Sequence, residues 1–259
     1  MLSKQGWVSK AMVESRGSEQ QWFDLAGHLV HDLHSPILAA LSATRQLYRV
    51  VTGRREKLQV QTAYAACSQA SSILANVEFL YREKYSVGQP IRRDRLSASV
   101  LRTLVAEVRE AVGLVYEPDR EVQIDVHCSD SLSMIADSRA LSHAFRNVID
   151  NAFRYGFAKS PIRVVIESKE GPEPEPELVI SVCSYGLPIR EDEIDKCSNL
   201  GFRGRDARLN LPGSGFGLYV ASRLLRYQGG SIIIRSLGAM TTVALHLPLG
   251  SEINADLDS

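Results

Sequence analysis

The stretch "LSHAFRNVIDNAFRYG" (141–156) has the apolar spacing of an amphipathic helix with two asparagines on its polar side. At about 100° per residue, apolar side chains collect on one side of this helix, which predicts the buried face. Asn147, Asn151 and Arg154 fall together on the opposite side. We therefore expect one apolar and one polar stripe along a helix over 138–155. The apolar stripe consists of Phe145, Val148, Ile149 and Ala152.

The polar stripe has the chemistry of a binding site for a metal and a phosphate. Two carboxamides one helical turn apart present two oxygen ligands to a hard cation, and a guanidinium on the same side presents positive charge to phosphate. A solvated helix face without a ligand is the alternative, and the stripe alone leaves it open. Asparagine is a mediocre residue for a helix interior, so two on one side are a mild anomaly for a purely structural helix.

Helices and strands alternate on both sides of this stretch. Apolar periodicity predicts a helix over 99–112, a helix beginning after Gly215, and an irregular segment that ends at Pro212. Strands mixed with helices in this order predict an α/β sandwich, in which helices cover one face of a single sheet. The predicted strands are "EVQIDVHC" (121–128), "SMIAD" (133–137), "IRVVIES" (162–168), "LVISVCS" (178–184), "SIIIRS" and "TTVALHL".

A glycine-rich loop precedes the last predicted helix in "LPGSGFGLYVASRLL" (211–225). Gly213, Gly215 and Gly217 allow a backbone to approach phosphate oxygens, and the helix N-terminus adds N–H donors. The loop is not a Rossmann fingerprint, because no strand leads straight into it, and it lacks the Gly-Lys-Ser/Thr ending of a P-loop. A flexible turn before a helix is the alternative.

The N-terminal part of the chain has another pattern, in which apolar residues recur every three or four positions over 19–51 and again over 66–80. This spacing predicts two long amphipathic helices, and Gly53 between them predicts the turn. Each helix would leave an apolar stripe exposed, so we expect the hairpin to form a four-helix bundle in a homodimer. A monomeric bundle completed by the rest of the chain is the alternative. The stripes contain Ala26, Leu29, Leu33, Ile37, Ala40, Thr44, Leu47 and Val51, and then Ala66, Ala70, Ile73, Val77 and Leu80.

The chain of 259 residues is longer than a usual single domain of about 100–200 residues, which predicts two compact units. The helical pattern stops at "KYSVGQP" (84–90), where a glycine and a proline indicate a linker. We predict a helical hairpin over 19–86 and an α/β domain over 87–249. The remaining predicted segments are an N-terminal segment (1–18) and a polar tail (250–259).

Composition argues against several classes of function. Thirty basic and 30 acidic side chains give a formal charge of zero, which disfavours a broad surface for nucleic acid or anionic lipid. No stretch has the roughly 18 apolar residues of a membrane helix, and the start of the chain lacks the apolar core of a signal peptide. Four widely spaced cysteines disfavour a zinc ribbon or a disulfide framework. We predict a soluble, cytoplasmic protein without a membrane segment.

Five short motifs follow one another along the chain. They are "HDLHSPI" (31–37), "NVIDNAFRYG" (147–156), "VCSYGLPI" (182–189), "GFRGRDAR" (201–208) and "GSGFGL" (213–218). In this order they resemble the acceptor box, N box, first glycine box, F box and second glycine box of sensor histidine kinases of two-component systems. The resemblance implies an α+β protein: a dimeric helical hairpin that carries the phospho-acceptor, followed by an α/β sandwich that is a Bergerat-type ATP-binding domain.

The resemblance also implies roles in nucleotide binding. Asn147 and Asn151 would hold Mg²⁺ against the phosphates of ATP, and the stretch 197–212 would form a mobile lid. Arg205 and Arg208 in this lid would complement phosphate charge, although solvated lid arginines fit the pattern equally. The other residues implied in ATP binding are Arg154, Tyr155, Ser184, Gly186, Arg203, Gly213, Gly215, Gly217 and Leu218.

Three histidines, His28, His31 and His34, recur at intervals of three on the first predicted helix. Helical geometry turns all three away from the apolar stripe, so we expect none of them to be a core residue. A metal cluster is one alternative, because residues three apart lie about 5–6 Å from each other. However, such a cluster would also need a carboxylate or thiolate at a matching helical offset, and Asp32 points elsewhere.

His31 is distinguished by its neighbours. Asp32 can accept an imidazole N–H and favour the tautomer whose other nitrogen is free to attack. Pro36 cannot donate to the Asp32 carbonyl, so we expect a bend one turn beyond His31. We predict that His31 attacks the γ-phosphoryl group of ATP and becomes a phosphohistidine. By the resemblance, Asp32 and Ser35 would also position water if the protein dephosphorylates its partner.

The implied partner is the receiver domain of a response regulator, whose aspartate would take the phosphoryl group from His31. Only about eighteen residues precede the predicted hairpin. We therefore expect the signal to come from a separate sensor protein, from those residues, or from a longer parent chain.

The sequence departs from the family pattern at three positions. Ser184 stands where an aspartate or asparagine usually bonds the adenine amino group, and losing a charge-assisted bond costs about 1.5–3 kcal/mol. Pro188 replaces a common glycine, and His34 replaces a basic residue. These departures keep open a degenerate kinase (pseudokinase) that acts as a dimeric docking or phosphotransfer scaffold with weak or no ATP use. Another Bergerat-type ATPase is the third reading.

Overall fold

The computed structural model describes residues 32–84, 94–116, 120–129, 132–169, 176–211 and 213–249. Contacts divide the chain into two compact units, Met1–Gln89 and Pro90–Ser259. Several features of the sequence analysis lie outside the described residues: His28 and His31, the start of the first predicted helix, the segment 1–18, the linker after Lys84 and the tail 250–259.

The described part of the first unit consists of two helices, α1 (32–50) and α2 (Arg54–Lys84). The chain turns between them at the predicted Gly53. The Lys57 ammonium stands 5.0 Å from the centroid of the Tyr48 ring near the turn, and His34 Nδ1 lies 3.8 Å from Glu78 Oε2 at the far end. The two helices are therefore antiparallel. Over the described residues, no helix combines the length and apolar character needed to cross a membrane.

The predicted apolar stripe on α1 is divided between two surfaces. Ile37 and Thr44 of the stripe are half-buried, as are Leu41 and Tyr48 outside it, whereas Leu33 and Leu47 are 46% and 49% exposed. Residues repeating every 3.5 positions form a broad apolar stripe along a helix. One partner helix covers only part of such a stripe, so the spacing does not show which part faces α2. The dimeric form of the hairpin stays a prediction.

The prediction that all three histidines point away from the bundle is wrong for His34. Its ring lies on the α2 side of α1, within reach of the Glu78 carboxylate. His34 stands seven residues before Leu41 on α1, so both residues lie on the side of the helix that faces α2. α1 continues through Pro36 without interruption, and the bend expected there stays a prediction.

Seven strands lie within the described residues of the second unit: β1 (Asp94–Ser97), β2 (Val122–His127), β3 (Ser133–Ala136), β4 (Ile162–Lys169), β5 (Glu177–Tyr185), β6 (Ser231–Leu237) and β7 (Met240–Pro248). Five of them form a sheet in the order β2-β4-β5-β7-β6. β2 and β4 are parallel, and the other neighbours are antiparallel. β1 and β3 pair separately as a two-stranded antiparallel sheet.

The helices of this unit are α3 (Ala98–Gly113), α4 (Ser138–Tyr155), a 3₁₀ helix (Glu191–Lys196), α5 (Arg205–Asn210) and α6 (Gly217–Arg226). α4 packs between α3 and α6, and all three contact the five-stranded sheet. Alternate residues of the strands form the core with them, among them Ile162 and Val164 of β4 and Ile180 of β5, each 0% exposed. The Asp137 carboxylate caps α4 by accepting from two backbone N–H groups.

Most predicted elements of this unit are confirmed, and α4 has the predicted bounds. Two features differ. The small β1–β3 sheet adds to the single predicted sheet, and β1 was not predicted because four residues are too few to show a period. The segment before Pro212 is not irregular throughout, since it contains the 3₁₀ helix and α5. Ion pairs between residues of different elements stabilise these short helices, and their sequences show no apolar period.

Candidate functional site

Asn147 lies on α4 beneath the start of α6. The residue is 5% exposed, and its Nδ2 donates to the carbonyl of His143 at 3.2 Å. Its Oδ1 faces Gly217, where a Cβ would lie 3.4 Å from that oxygen. The helical pattern predicts Asn147 on the side away from the core, but α6 packs against α4 and buries it. An amide oxygen therefore faces the second glycine box.

Arg154 is held by two residues that the sequence analysis did not single out. Its Nε donates to the Tyr116 hydroxyl at 3.1 Å, and its Nη2 donates to Asp150 Oδ2 at 3.2 Å. The Tyr116 hydroxyl in turn donates to Asp150 Oδ1 at 2.8 Å. Asp150 has a sequence signal, because it stands one turn before Arg154 on α4. Tyr116 has none, because it follows α3 and reaches α4 only in the fold.

Burial and the Asp150 carboxylate influence the protonation of Tyr116 and Arg154. Burial, and then the Asp150 carboxylate, raise the pKa of Tyr116, so its hydroxyl remains a donor at neutral pH. Burial alone would lower the pKa of Arg154, but the Asp150 carboxylate and the Tyr116 oxygen outweigh it and raise that pKa. The guanidinium is therefore a fixed positive charge at the C-terminal end of α4.

The glycine loop lies against three of the predicted site residues. A Cβ at Gly213 would lie 3.4 Å from Tyr155 Oη, 3.6 Å from Arg203 Nε and 3.8 Å from Arg154 Nη1. The fold thus brings the N box, the F box and the second glycine box together, although they are distant in sequence. Leu218, the second residue of α6, is half-buried beside them.

Gly215 joins the loop to the F box. Its φ is +73°, in the left-handed region, and a Cβ there would lie 2.6 Å from the Phe202 carbonyl oxygen. Only glycine meets both conditions. The N-cap position of α6, Phe216, makes no side-chain capping hydrogen bond. Because helix N-termini carry N–H donors and a positive dipole end, this turn has the chemistry of an anion site.

The first glycine box closes onto the end of α4. The Leu187 N–H donates to the Tyr155 carbonyl at 3.0 Å, and the Gly186 N–H donates to the Ala239 carbonyl at 2.8 Å. A Cβ at Gly186 would lie 2.2 Å from the Tyr155 carbonyl oxygen, so the two backbones meet directly. Ser184 is 9% exposed, and it shares the helix-facing side of β5 with Val182.

Arg203 is oriented by the short helix that follows it. Its Nη2 donates to the carbonyls of Ala207 and Leu211, and within the described residues its buried Nε has no hydrogen-bond partner. Nε is the atom that lies near Gly213. The F-box arginine therefore ties α5 to the glycine loop.

α5 is fastened to the 3₁₀ helix by carboxylates. Glu193, which is 5% exposed, accepts from the Arg205 backbone N–H at 3.1 Å and pairs with Arg205 Nε at 3.2 Å. Arg205 also pairs with Asp192, and Arg190 pairs with Asp206 at 3.2 Å. The sequence analysis offers Arg205 as a phosphate partner, but these carboxylates already engage it. Arg208 is exposed.

On the hairpin, Asp32 and Ser35 lie on α1 with exposed side chains. His31 precedes the described residues. No group of three or more His, Cys, Asp or Glu residues that could hold a metal occurs in the part of the chain that the structure describes.

The residues around the glycine loop fit a magnesium ion that is shared with a phosphate ligand. Mg²⁺ takes oxygen ligands, keeps several waters, and is commonly bound by few protein groups together with substrate phosphates. Asn147 supplies an amide oxygen, glycine at position 217 leaves the space beside it open, and the half-buried Asn151 follows one turn later. The donor set therefore fits an ion that a few protein oxygens bind together with phosphate oxygens and water.

The sequence is similar to a family of ATPases and to two kinases or sensor proteins. Residues 136–251 match the family of histidine kinase-, DNA gyrase B-, and HSP90-like ATPases. The chain is 28% identical over 232 residues to the sensor protein CzcS of Cupriavidus metallidurans, covering 88% of this chain and 46% of CzcS. It is 21% identical over 248 residues to the histidine protein kinase SaeS of Staphylococcus aureus, covering 92% of this chain and 68% of SaeS.

The fold is also similar to a solved structure, that of full-length ShkA in complex with AMPPNP. The TM-score is 0.59 at 17% identity, and the match covers 88% of this chain and 46% of ShkA. The chain thus spans about half the length of CzcS and of ShkA, and about two thirds of SaeS.

Proposed function

We propose that this chain, a member of the sensor histidine kinase family, is an ATP-dependent protein-histidine kinase of two-component signal transduction. The observation that carries the proposal is the convergence at the glycine loop. Arg154, Tyr155 and Arg203 lie around Gly213, and the Asn147 amide oxygen lies beside Gly217 of the same loop. Phosphate groups bind where backbone N–H groups, guanidinium groups and a cation site meet.

In this proposal ATP binds with its phosphates between α4 and the glycine loop. Arg154 and Arg203 donate to phosphate oxygens, and Asn147 and Asn151 hold Mg²⁺, which neutralises phosphate charge when bound. The base lies toward the first glycine box. The remaining nucleotide contacts come from Tyr155, Ser184, Gly186, Gly213, Gly215, Gly217 and Leu218.

His31 is the proposed acceptor. One imidazole nitrogen attacks the γ-phosphorus; the N–P bond forms as the bond to the β,γ-bridging oxygen breaks, and ADP leaves. Asp32 follows His31 and can accept the N–H of the other ring nitrogen. The phosphoryl group then passes to an aspartate of a response regulator. Asp32 and Ser35 would also support dephosphorylation of that partner.

The proposed working form is a homodimer in which the hairpins (19–86) form a four-helix bundle and each ATP-binding domain spans 87–249. Because CzcS extends well beyond the match, a separate sensor protein or another part of a parent chain supplies the signal in this proposal. ATP is a cytoplasmic substrate, so the kinase reaction belongs in the cytoplasm.

A second candidate, a nucleotide-binding scaffold without kinase activity, is favoured by Ser184. This hydroxyl stands on β5 where the family pattern has a longer acidic or amide side chain. A weaker contact to the base lowers affinity without removing the phosphate site.

Incubation with Mg²⁺ and ATP labelled at the γ position separates the two functions. The kinase incorporates label that survives alkali and is lost in acid, as expected of phosphohistidine. We expect Asn151→Ala to abolish labelling, whereas Gln123→Ala, which removes an exposed amide from β2, should leave it unchanged. Binding of AMP-PNP without any phosphoprotein would favour the scaffold, and acid-stable label would contradict a histidine acceptor.

A further inference from the structure

Tyr116, Asp150 and Arg154 form a closed ring of hydrogen bonds. Tyr116 donates to Asp150, and Arg154 donates to both of them, with donor–acceptor distances between 2.8 and 3.2 Å. Each member thus contacts the other two. Arg154 and Asp150 have side chains that are 18% and 27% exposed, so the ring is partly shielded from water.

The ring is anchored outside α4 as well as on it. The Tyr116 side chain stacks on Phe153, with ring centroids 5.8 Å apart and an interplanar angle of 16°. Phe153 is itself 4% exposed, which fixes the tyrosine ring against the core. Stacking on the buried Phe153 therefore holds the Tyr116 hydroxyl where Arg154 donates to it.

These contacts fix the plane of the Arg154 guanidinium. Nε donates to Tyr116 and Nη2 donates to Asp150. Nη1 lies on the side of the glycine loop, 3.8 Å from the position of a Cβ on Gly213. A guanidinium is planar, so holding two of its nitrogens determines where the third points.

We propose that Tyr116 and Asp150 are positioning residues of the nucleotide site, which hold Arg154 so that Nη1 meets the phosphates of the bound nucleotide. This inference rests on the proposed function. An unrestrained arginine side chain has many rotamers and loses them on binding, whereas a pre-oriented one does not. The ring therefore contributes to affinity for phosphates without contacting the nucleotide.

The test compares a ligand that has phosphates with one that has none. Binding of AMP-PNP with Mg²⁺, and of adenosine, is measured by calorimetry for the wild type, Tyr116→Phe and Asp150→Asn. Tyr116→Phe keeps the stacked ring and removes only the hydroxyl. Tyr227→Phe is the matched control, because it removes a hydroxyl from a tyrosine beyond the far end of α6.

We expect both ring variants to bind AMP-PNP about tenfold more weakly and adenosine as the wild type does, while Tyr227→Phe changes neither. Equal weakening for both ligands would indicate a general structural role and overturn the inference, as would unchanged AMP-PNP binding. If Tyr116→Phe shows no cooperative thermal transition, it does not fold, and binding by Asp150→Asn alone then tests the proposal. A wild type that binds no AMP-PNP would refute the proposed function itself, which is a distinct result.

Discussion

Two glycines of "GSGFGL" (213–218), Gly215 and Gly217, differ in what an added Cβ would meet. Gly215 needs a left-handed backbone, and a Cβ there would collide with the Phe202 carbonyl at 2.6 Å. At Gly217 a Cβ would make an ordinary contact, 3.4 Å from Asn147 Oδ1. The backbone therefore requires glycine at 215, whereas at 217 an alanine would fit and would occupy the space beside the amide oxygen.

This difference predicts opposite outcomes for two alanine substitutions. Gly215→Ala should lower the free energy of unfolding by about 1–2 kcal/mol or more, from the left-handed backbone and the collision. Gly217→Ala should change it by less than about 1 kcal/mol, because alanine suits a helix, yet should weaken AMP-PNP binding. Urea unfolding and calorimetry measure the two effects. Full nucleotide affinity in Gly217→Ala would contradict the cation site beside Asn147.

Some residues of the candidate site could be predicted from the sequence and others could not. Asn147, Asn151 and Arg154 could be singled out because one helical period places them on one side of α4. That Asn147 is buried could not be predicted, since it depends on α6, which packs there only in the fold. Tyr116 escaped prediction for the same reason, because its contact with Asp150 spans 34 residues of chain.

Among the elements, α5 is the one whose stability depends most on its neighbours. It has six residues, too few to be stable alone, and its N-cap, Gly204, makes no side-chain capping hydrogen bond. Glu193 of the 3₁₀ helix supplies the missing partner by accepting from the Arg205 N–H. The segment predicted as a lid therefore contains a short helix that a buried carboxylate holds.

Removing this carboxylate should loosen α5 selectively. In Glu193→Ala we expect amide hydrogen exchange over 205–210 to accelerate about tenfold or more, because a buried charge-assisted bond is lost. Exchange in α4 should not change. Glu191→Ala is the matched control, because that glutamate is on the same 3₁₀ helix but is exposed. Equal acceleration in both variants, or none in Glu193→Ala, would show that Glu193 does not hold the lid.

Elements were predictable where apolar periodicity sets them. α3, α4, α6 and the five strands of the larger sheet follow the sequence patterns closely. The 3₁₀ helix and α5 do not, because paired charges such as Arg190 and Asp206 hold them, and the pattern of charges does not show which residues pair. On α1, the period located the helix but not which part of its stripe faces α2.

For the whole molecule, the exposed apolar surface of the hairpin supports the prediction of a homodimer. Leu33, Ala40 and Leu47 recur every seven residues on α1, and all three are exposed in the single chain. Ile73 of α2 is 45% exposed. A stripe of this kind on a two-helix hairpin is buried when a second copy completes a four-helix bundle.

A charge placed in this stripe should separate the dimer. We expect Leu47→Glu to be monomeric in sedimentation analysis at concentrations where the wild type is dimeric, because each copy would bury a carboxylate. Leu38→Glu is the matched control: Leu38 is as exposed, at 45%, but lies on another side of α1. Dimers in Leu47→Glu, or monomers in both variants, would contradict the assignment of this stripe.

The proposed function depends most on transfer of the phosphoryl group from ATP to His31. The most direct test is uptake of label from γ-labelled Mg-ATP by His31→Gln, beside His28→Gln and His34→Gln, which make the same substitution three residues away on either side. We expect acid-labile label in the wild type and in the two flanking variants, and none in His31→Gln. Label retained by His31→Gln would contradict the proposal.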